Sequence, residues 1–180
     1  MNEELWRLRF SVEVSAAYHD WRRTTYETAA RFVKAATLLG AILALLTAFN
    51  PFAASTAAVT NTIVGISIAI AIINLVDLAW DFNGLALRHT ELYRRFKELQ
   101  ERVLRAGADW EANIAAWEAD AQLIRRDEPP TMWAIYAMCW NQIMDRHQVE
   151  RPGFYRPVST FQMLARNVFH FRPQDFPASG

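Results

Sequence analysis

Residues 35–76 read AATLLGAILALLTAFNPFAASTAAVTNTIVGISIAIAIINLV, and these 42 consecutive positions contain no Asp, Glu, Lys, Arg or His. The rest of the chain is dense in charge. About 20 apolar residues cross a bilayer as a helix, so the stretch has room for two spans. A break falls where a hairpin needs it, at Asn50-Pro51-Phe52-Ala53-Ala54-Ser55-Thr56. Proline cannot continue a helix interior and pushes the residue before it out of the helical region. The pattern predicts two transmembrane helices, about residues 32–49 and 57–80, joined by a very short turn. The competing possibility is a buried hairpin in a water-soluble protein. A core helix of that kind usually keeps a polar stripe and needs only about 10–14 apolar residues. Here every side of both segments is apolar or small. The mean hydropathy of −0.03 averages this hairpin with a polar remainder.

The chain has 180 residues and equal numbers of basic and acidic side chains, 19 of each. Zero net charge removes the general electrostatic argument for nucleic-acid binding. About 135 residues remain outside the hairpin, enough for one helical module. The single cysteine, Cys139, excludes an internal disulfide and a thiolate metal cluster. His19, His89, His147 and His170 lie far apart in sequence without ligand spacing, so neither a metal nor another cofactor is expected. The first 31 residues are charged and amphipathic rather than an apolar core with a cleavage site, so the first span is expected to act as its own insertion signal.

The expected fold is all-α: a two-span transmembrane hairpin extended into a cytoplasmic helical bundle. Residues 1–31 form a cytoplasmic N-terminal helix, 32–80 the hairpin, 81–148 cytoplasmic helices, and 149–180 a tail containing Pro and Arg. Arg22, Arg23, Arg31 and Lys34 precede the first span, and Arg88, Arg94, Arg95 and Lys97 follow the second. The turn carries no charge. The positive-inside rule then places both termini in the cytoplasm.

Small residues recur four apart on the first span, at Ala36, Gly40, Ala44 and Ala48. The second span offers a matching set at Ala58, Thr62, Gly65 and Ala69, with Ile63, Ile66, Ile70 and Ile73 opposite and suited to lipid. Lipid gives helices no hydrophobic reason to associate, so close backbone approach through small residues supplies the contact. These faces are candidates for closing the hairpin and for joining subunits. A polar stripe emerges at the inner end of the second span: Asn74, Asp77, Asp81 and Arg88. A hairpin folded near residue 54 sets Arg31 opposite Asp77 and Lys34 opposite Asn74. A carboxylate near the membrane is costly unless paired or wet. Arg31, Lys34, Asn74, Asp77 and Asp81 are therefore candidates either for fixing the hairpin register through an Arg31–Asp77 pair or for lining the inner mouth of an oligomeric pore.

Outside the hairpin, residues 3–31 carry an apolar pattern of loosely helical spacing at Leu5, Leu8, Val12, Tyr18, Trp21, Tyr26 and Ala29. Leu85, Leu92, Phe96, Leu99 and Val103 continue the second helix, with Gly107 as its stop. Trp110, Ile114, Trp117, Ala121 and Ile124 alternate by four and three, an a/d seam that either folds back on these helices or meets another subunit. Asp127-Glu128-Pro129-Pro130 ends that helix, and Thr131 is placed to cap the next, over about 132–147. Asn141 sits among aromatic and apolar residues there and is expected to bond a backbone end or a neighbouring helix. A short helix over 159–169 interrupts the tail, and the last ten residues are expected to be irregular. Nucleotide-binding glycine loops, G-x-S-x-G and H-E-x-x-H are all absent, and no residue is a catalytic candidate. His19 with Arg22 and Arg23 invites a phosphate, but a solvated helix face is the simpler expectation. Cys139 reads as an inert core thiol.

A charged N-terminal helix, two close spans, a cytoplasmic helix, and then Asp127-Glu128-Pro129-Pro130 opening a helix with Asn141 resembles the SLATT family over roughly residues 15–148. The acidic-Pro-Pro joint followed by an asparagine is the most distinctive part of the likeness. The tail after residue 150 has no counterpart in it. The family comprises two-span bacterial proteins associated with SMODS nucleotidyltransferases and SLOG nucleotide sensors. The resemblance implies an oligomeric inner-membrane effector that forms pores in a nucleotide-signalled anti-phage or conflict system. It brings no catalytic residues. A nucleotide synthase or sensor would be a separate partner protein, since no attached sensor domain is recognisable. An alternative of another class is a membrane-anchored scaffold, whose cytoplasmic helices dock a partner.

Overall fold

The computed structural model describes residues 3–49, 56–105, 107, 110–148, 156–166 and 171–176, without the side chains of Ala48, Thr56, Ala58 and Pro173. Among the described residues the chain is all-helical, with no strand. Its helices are α1 (Glu3–Ala48), α2 (Thr56–Trp80), α3 (Phe82–Arg105), α4 (Trp110–Arg126), α5 (Trp133–Arg146) and α6 (Thr160–Ala165), followed by a 3-10 turn at Pro173–Asp175. The N-terminal segment and the first apolar segment are therefore one unbroken helix of 46 residues. The expected turn at residues 50–55 lies outside the described residues. Two helical stretches are long and apolar enough to cross a membrane. The chain divides into two compact units, one made of Met1–Trp21 with His89–Gly180, the other of Arg22–Arg88.

The first unit is a helical bundle built around the start of α1, which is buried on two faces. Leu8, Val12 and Ala16 pack with Leu92, Phe96, Leu99 and Val103 of α3 and with Trp117, Ala121 and Ile124 of α4. The α4 seam thus folds back within its own chain, with Trp110 and Ile114 at its edge. Phe10, Val14 and Tyr18, on the other face of α1, pack against Met132, Ile135, Cys139, Ile143 and Met144 of and just before α5. Two apolar stripes on one helix, offset by two residues, explain why α1 holds three partners.

The Asp127–Pro130 joint ties the bundle together. Asp127 accepts from Arg95 of α3 at 2.6 Å, and Glu128 lies 3.2 Å from His19 of α1. The two prolines that follow cannot supply helical N–H groups, so the chain leaves α4 and re-enters as α5. Thr131 does not cap α5. Its N-cap is Met132, without a side-chain cap, and the Met132 N–H donates to the Tyr18 hydroxyl at 3.0 Å. A neighbouring helix does the capping work there.

Asn141 bonds a backbone segment, as expected of a buried amide. Its Nδ2 donates to the Arg156 carbonyl at 2.6 Å, and the Arg156 N–H donates to its Oδ1 at 2.9 Å. This pairing holds the tail on α5. Ser159 and Gln162 form a reciprocal capping box that starts α6. Of the last ten residues, expected to be irregular, Pro173–Asp175 form a 3-10 turn, residues 177–180 lie outside the described residues, and Phe176 is buried with Ala134 and Ala137, beside Trp133, Val158 and Phe171. An aromatic residue near a chain end has enough apolar area to order it, which its proline-rich neighbours concealed.

Candidate functional site

The second unit holds the sequence-predicted site. Phe32, Leu38, Leu39, Leu45, Leu46 and Phe49 on α1, with Ile68, Ile72, Leu75 and Leu78 on α2, expose large apolar side chains; Leu38 is 64% and Leu78 80% accessible. Against this, Gly40 is buried, and Ala36 and Ala44 are half-buried. A Cβ placed on Gly40 would lie 2.5 Å from Ile70 Cδ1 and 2.7 Å from its Cγ1. The glycine is a socket for that isoleucine.

The α2 face that closes the hairpin is the opposite of the expected one. Ile63, Ile66, Ile70 and Ile73 are half-buried, whereas Thr62, Gly65 and Ala69 are exposed, with nothing within 4 Å of a Cβ on Gly65. A socket on one helix calls for a knob on the other; two small faces would meet only if the backbones came closer still. The side chains of Ala48 and Ala58 lie outside the described residues.

The register also differs. Thr37 Oγ1 donates to Asn74 Oδ1 at 3.3 Å, so Asn74 meets Thr37 rather than Lys34, and its Nδ2 donates to the Ile70 carbonyl at 2.9 Å. Lys34 donates to Asn83 at 3.5 Å, and Arg31 pairs with Glu27 on its own helix at 3.6 Å. The Arg31–Asp77 pair is not formed. Seating Ile70 on Gly40 fixes the register before the charges can. Asp77 Oδ1 is withdrawn from solvent with no hydrogen-bond partner among the described residues.

Asp81 has a specific local role. It adopts φ of 45°, ending α2, and its Oδ1 accepts the Gly84 N–H at 3.0 Å to start α3. Aspartate is among the residues that tolerate the left-handed region best. A Cβ on Gly84 would strike this carboxylate, so glycine there leaves room for the cap. Beside it, Trp80 stacks on Phe82 at 6.5 Å and Phe82 on Tyr26 at 6.3 Å. Trp and Tyr in this position suit a membrane–water interface.

In the bundle the structure reveals a site the sequence concealed. His19 is fully buried and not on a solvated face; Arg22 bonds Tyr26 and lies 4.5 Å over its ring, and Arg23 is 4.0 Å from Glu27. His19 Nδ1 is instead 2.8 Å from His89 Nδ1, and His19 Nε2 is 3.2 Å from Glu128 Oε1. The His19 ring stacks on Phe96 at 5.5 Å. A signal was available. His19 extends the Leu8–Val12–Ala16 stripe by three residues, and His89 precedes Leu92 by three on the α3 stripe. Both histidines occupy core positions of converging helices.

Three other polar groups are structural. Burial would raise the Glu13 carboxyl, but hydrogen bonds and charge from His147 and Arg146 outweigh it and hold the group below the ordinary carboxylate range. Burial pushes the Tyr136 phenol up. Burial, helped by Asp20, pushes the Cys139 thiol up to about 12. No His, Cys, Asp and Glu group able to hold a metal occurs among the described residues. No protein-family model, curated protein or solved structure matches the chain.

Proposed function

We propose that the chain is an oligomeric effector of the bacterial inner membrane, of SLATT type, that forms pores in a nucleotide-signalled conflict system. The observation that carries this is the hairpin unit itself. Its two helices cover each other through Gly40 and Ile70 yet leave Leu38, Leu39, Leu45, Leu46, Ile68, Ile72 and Leu75 exposed. An apolar surface of this kind belongs against lipid or another chain. In such a setting Asp77 needs a pairing or wetting group, and its Oδ1 has none among the described residues of a single chain. Two spans cannot enclose a pore, so several copies must assemble. The exposed Thr62–Gly65–Ala69 face permits close approach of a second copy. Both termini lie in the cytoplasm in this arrangement. The trigger comes from a separate nucleotide synthase or sensor, and the chain itself performs no catalysis.

The test is membrane potential and dye permeability in bacterial cells after induced expression, alone and with the neighbouring genes. Loss of potential before lysis is expected, and Asp77→Ala is expected to weaken it. Unchanged potential under both conditions, with the protein present in the membrane, would overturn the pore. A membrane-anchored scaffold is favoured by one feature, the exposed Phe161, Met163 and Leu164 of α6. Exchange of residues 32–80 for an unrelated two-span anchor separates the two, because only a scaffold survives it.

A further inference from the structure

We propose that α6 lays its outer face on an anionic lipid surface and so ties the bundle to the membrane that the hairpin spans. The proposal rests on the membrane reading of the hairpin and not on its conducting. Residues three apart share one side of a helix. On α6, Gln162 and Ala165 turn inward, half-buried and buried. Phe161 and Leu164 are 65% and 80% exposed, and Met163, next to Leu164, is 43% exposed. Phe161 also makes a T-shaped contact with Phe171 at 6.2 Å. The helix therefore presents an apolar face of three residues while its other side packs on the bundle.

That face is fixed before any lipid arrives. Ser159 and Gln162 close the capping box at its start, and Asn141 clamps the Arg156 backbone just ahead of it. Arg166, at the C-cap, lies 4.6 Å over the Trp21 ring and donates to Met138 Sδ at 3.5 Å. Docking a face already ordered avoids most of the entropy cost of binding. Trp21 is also the last α1 residue of the bundle unit, and α1 runs on into the first apolar segment. A bilayer that holds this segment is tethered to the bundle, so α6 meets it at high effective concentration.

The charge around α6 selects the kind of surface. Residues 151–174 contain four arginines and no Asp or Glu, in a chain whose total charge is zero. Three of these arginines are described. Arg156 and Arg166 lie over the rings of Trp140 and Trp21, which stiffens them beside the helix, and Arg172 is exposed. Asp175 follows the run, and its Oδ2 accepts the Arg172 N–H at 2.8 Å. An apolar helix face among cations and aromatic rings is the pattern of an interfacial helix, where apolar burial and attraction to anionic headgroups add. Lipid has the advantage over a protein partner that the hairpin keeps it in place.

The test uses the full chain with Cys139→Ser and Met163→Cys, carrying a nitroxide at position 163, in nanodiscs of phosphatidylcholine with or without phosphatidylglycerol. Accessibility to oxygen, which enters lipid, is compared with accessibility to a water-soluble nickel complex. The same label at Leu39→Cys reports the hairpin, and at Leu123→Cys an exposed apolar position of α4. In anionic nanodiscs the label at 163 should be open to oxygen and shielded from nickel, while the one at 123 stays in water. Removing the anionic lipid, or raising salt to about 0.5 M, should return the label at 163 to water. Arg172→Gln should lower the seated fraction relative to the unseated one about fivefold. Leu164→Asn, at a position 80% exposed and so harmless to the bundle, should lower it about tenfold or more. A label at 163 that stays in water while the one at 39 sits in lipid would overturn the α6 contact and leave the hairpin reading standing. A label at 39 in water would overturn both. Shielding at 163 from oxygen and nickel alike would put a protein chain on α6 and overturn the lipid contact, as would shielding indifferent to lipid charge.

Discussion

The Gly40–Ile70 socket is open to a quantitative test. A Cβ at position 40 would sit 2.5 Å and 2.7 Å from two Ile70 carbons. Comfortable carbon–carbon contact is about 3.5–4.0 Å, so the overlap is near 1 Å at two atoms at once. A β-branched side chain on a helix has one strongly preferred rotamer and cannot simply swing away. Overpacking of this kind costs about 1–3 kcal/mol, a factor of roughly 5 to 150 in the closed-to-open ratio. Gly40→Ala should lie at the low end and Gly40→Leu at or above the high end. The assay is disulfide formation in native membranes between cysteines placed at Thr37 and Asn74, which are in contact through a 3.3 Å hydrogen bond, in a Cys139→Ser background. Crosslinking should slow in the order Gly40→Ala, then Gly40→Leu. Ile70→Val removes the Cδ1 atom and should restore part of the Gly40→Ala loss. Gly65→Leu, with open space around it, should leave this crosslink unchanged. A Gly40→Leu chain that crosslinks at the wild-type rate would refute the socket and the register derived from it.

Further outcomes are expected in the bundle. Phe96→Ala, at a fully buried site where α1, α3 and α4 meet, should cost about 3–5 kcal/mol, read by thermal or denaturant unfolding of the bundle. Asn141→Ala strands the N–H and carbonyl of Arg156 and should cost about 2–4 kcal/mol, with faster proteolysis of the tail as its local signature. Glu13 has a lowered folded pKa, so its contribution is complete above the unfolded value of about 4.3 and is lost as pH falls through the folded one. The stability gap between wild type and Glu13→Gln should therefore shrink below that value in unfolding curves taken from pH 6 to pH 3. Cys139 should resist alkylation by iodoacetamide at pH 8 in the folded chain and react on unfolding.

Helix identity was legible in the sequence because each signal was local. The seam from Trp110 to Ile124 needed only the spacing of five residues, and α4 spans Trp110–Arg126. The charge-free run marked both long apolar helices. What local signals could not supply was which partner each face takes. The α2 faces were assigned by residue type alone, with isoleucine to lipid and small residues to contact. Packing is decided by complementarity between two surfaces, and Gly40 was already a socket in search of a large neighbour. The hairpin register was likewise inferred from a fold point near residue 54, and the cations it set opposite Asp77 and Asn74 take other partners, Glu27 for Arg31 and Asn83 for Lys34.

The histidine pair shows the same limit at a distance of seventy residues. His19 and His89 have no spacing that marks a site, and adjacent charges drew His19 toward a solvated face. Their positions on the two apolar stripes carry the information, since a polar residue in phase with a core stripe must find a buried partner on whatever helix that stripe meets. The Leu8–Val12–Ala16 stripe meets α3, whose own stripe begins with His89. The Asp127–Glu128 joint reads differently for the same reason. As a sequence it is a charged helix end; in three dimensions its neighbouring carboxylates reach α3 and α1 separately. Two prolines hold that divergence by forbidding helix immediately beyond. The joint and the buried pair are therefore one construction. Its two carboxylates divide the work, Glu128 reaching the buried His19 ring at 3.2 Å while Asp127 anchors the same joint to Arg95 of α3.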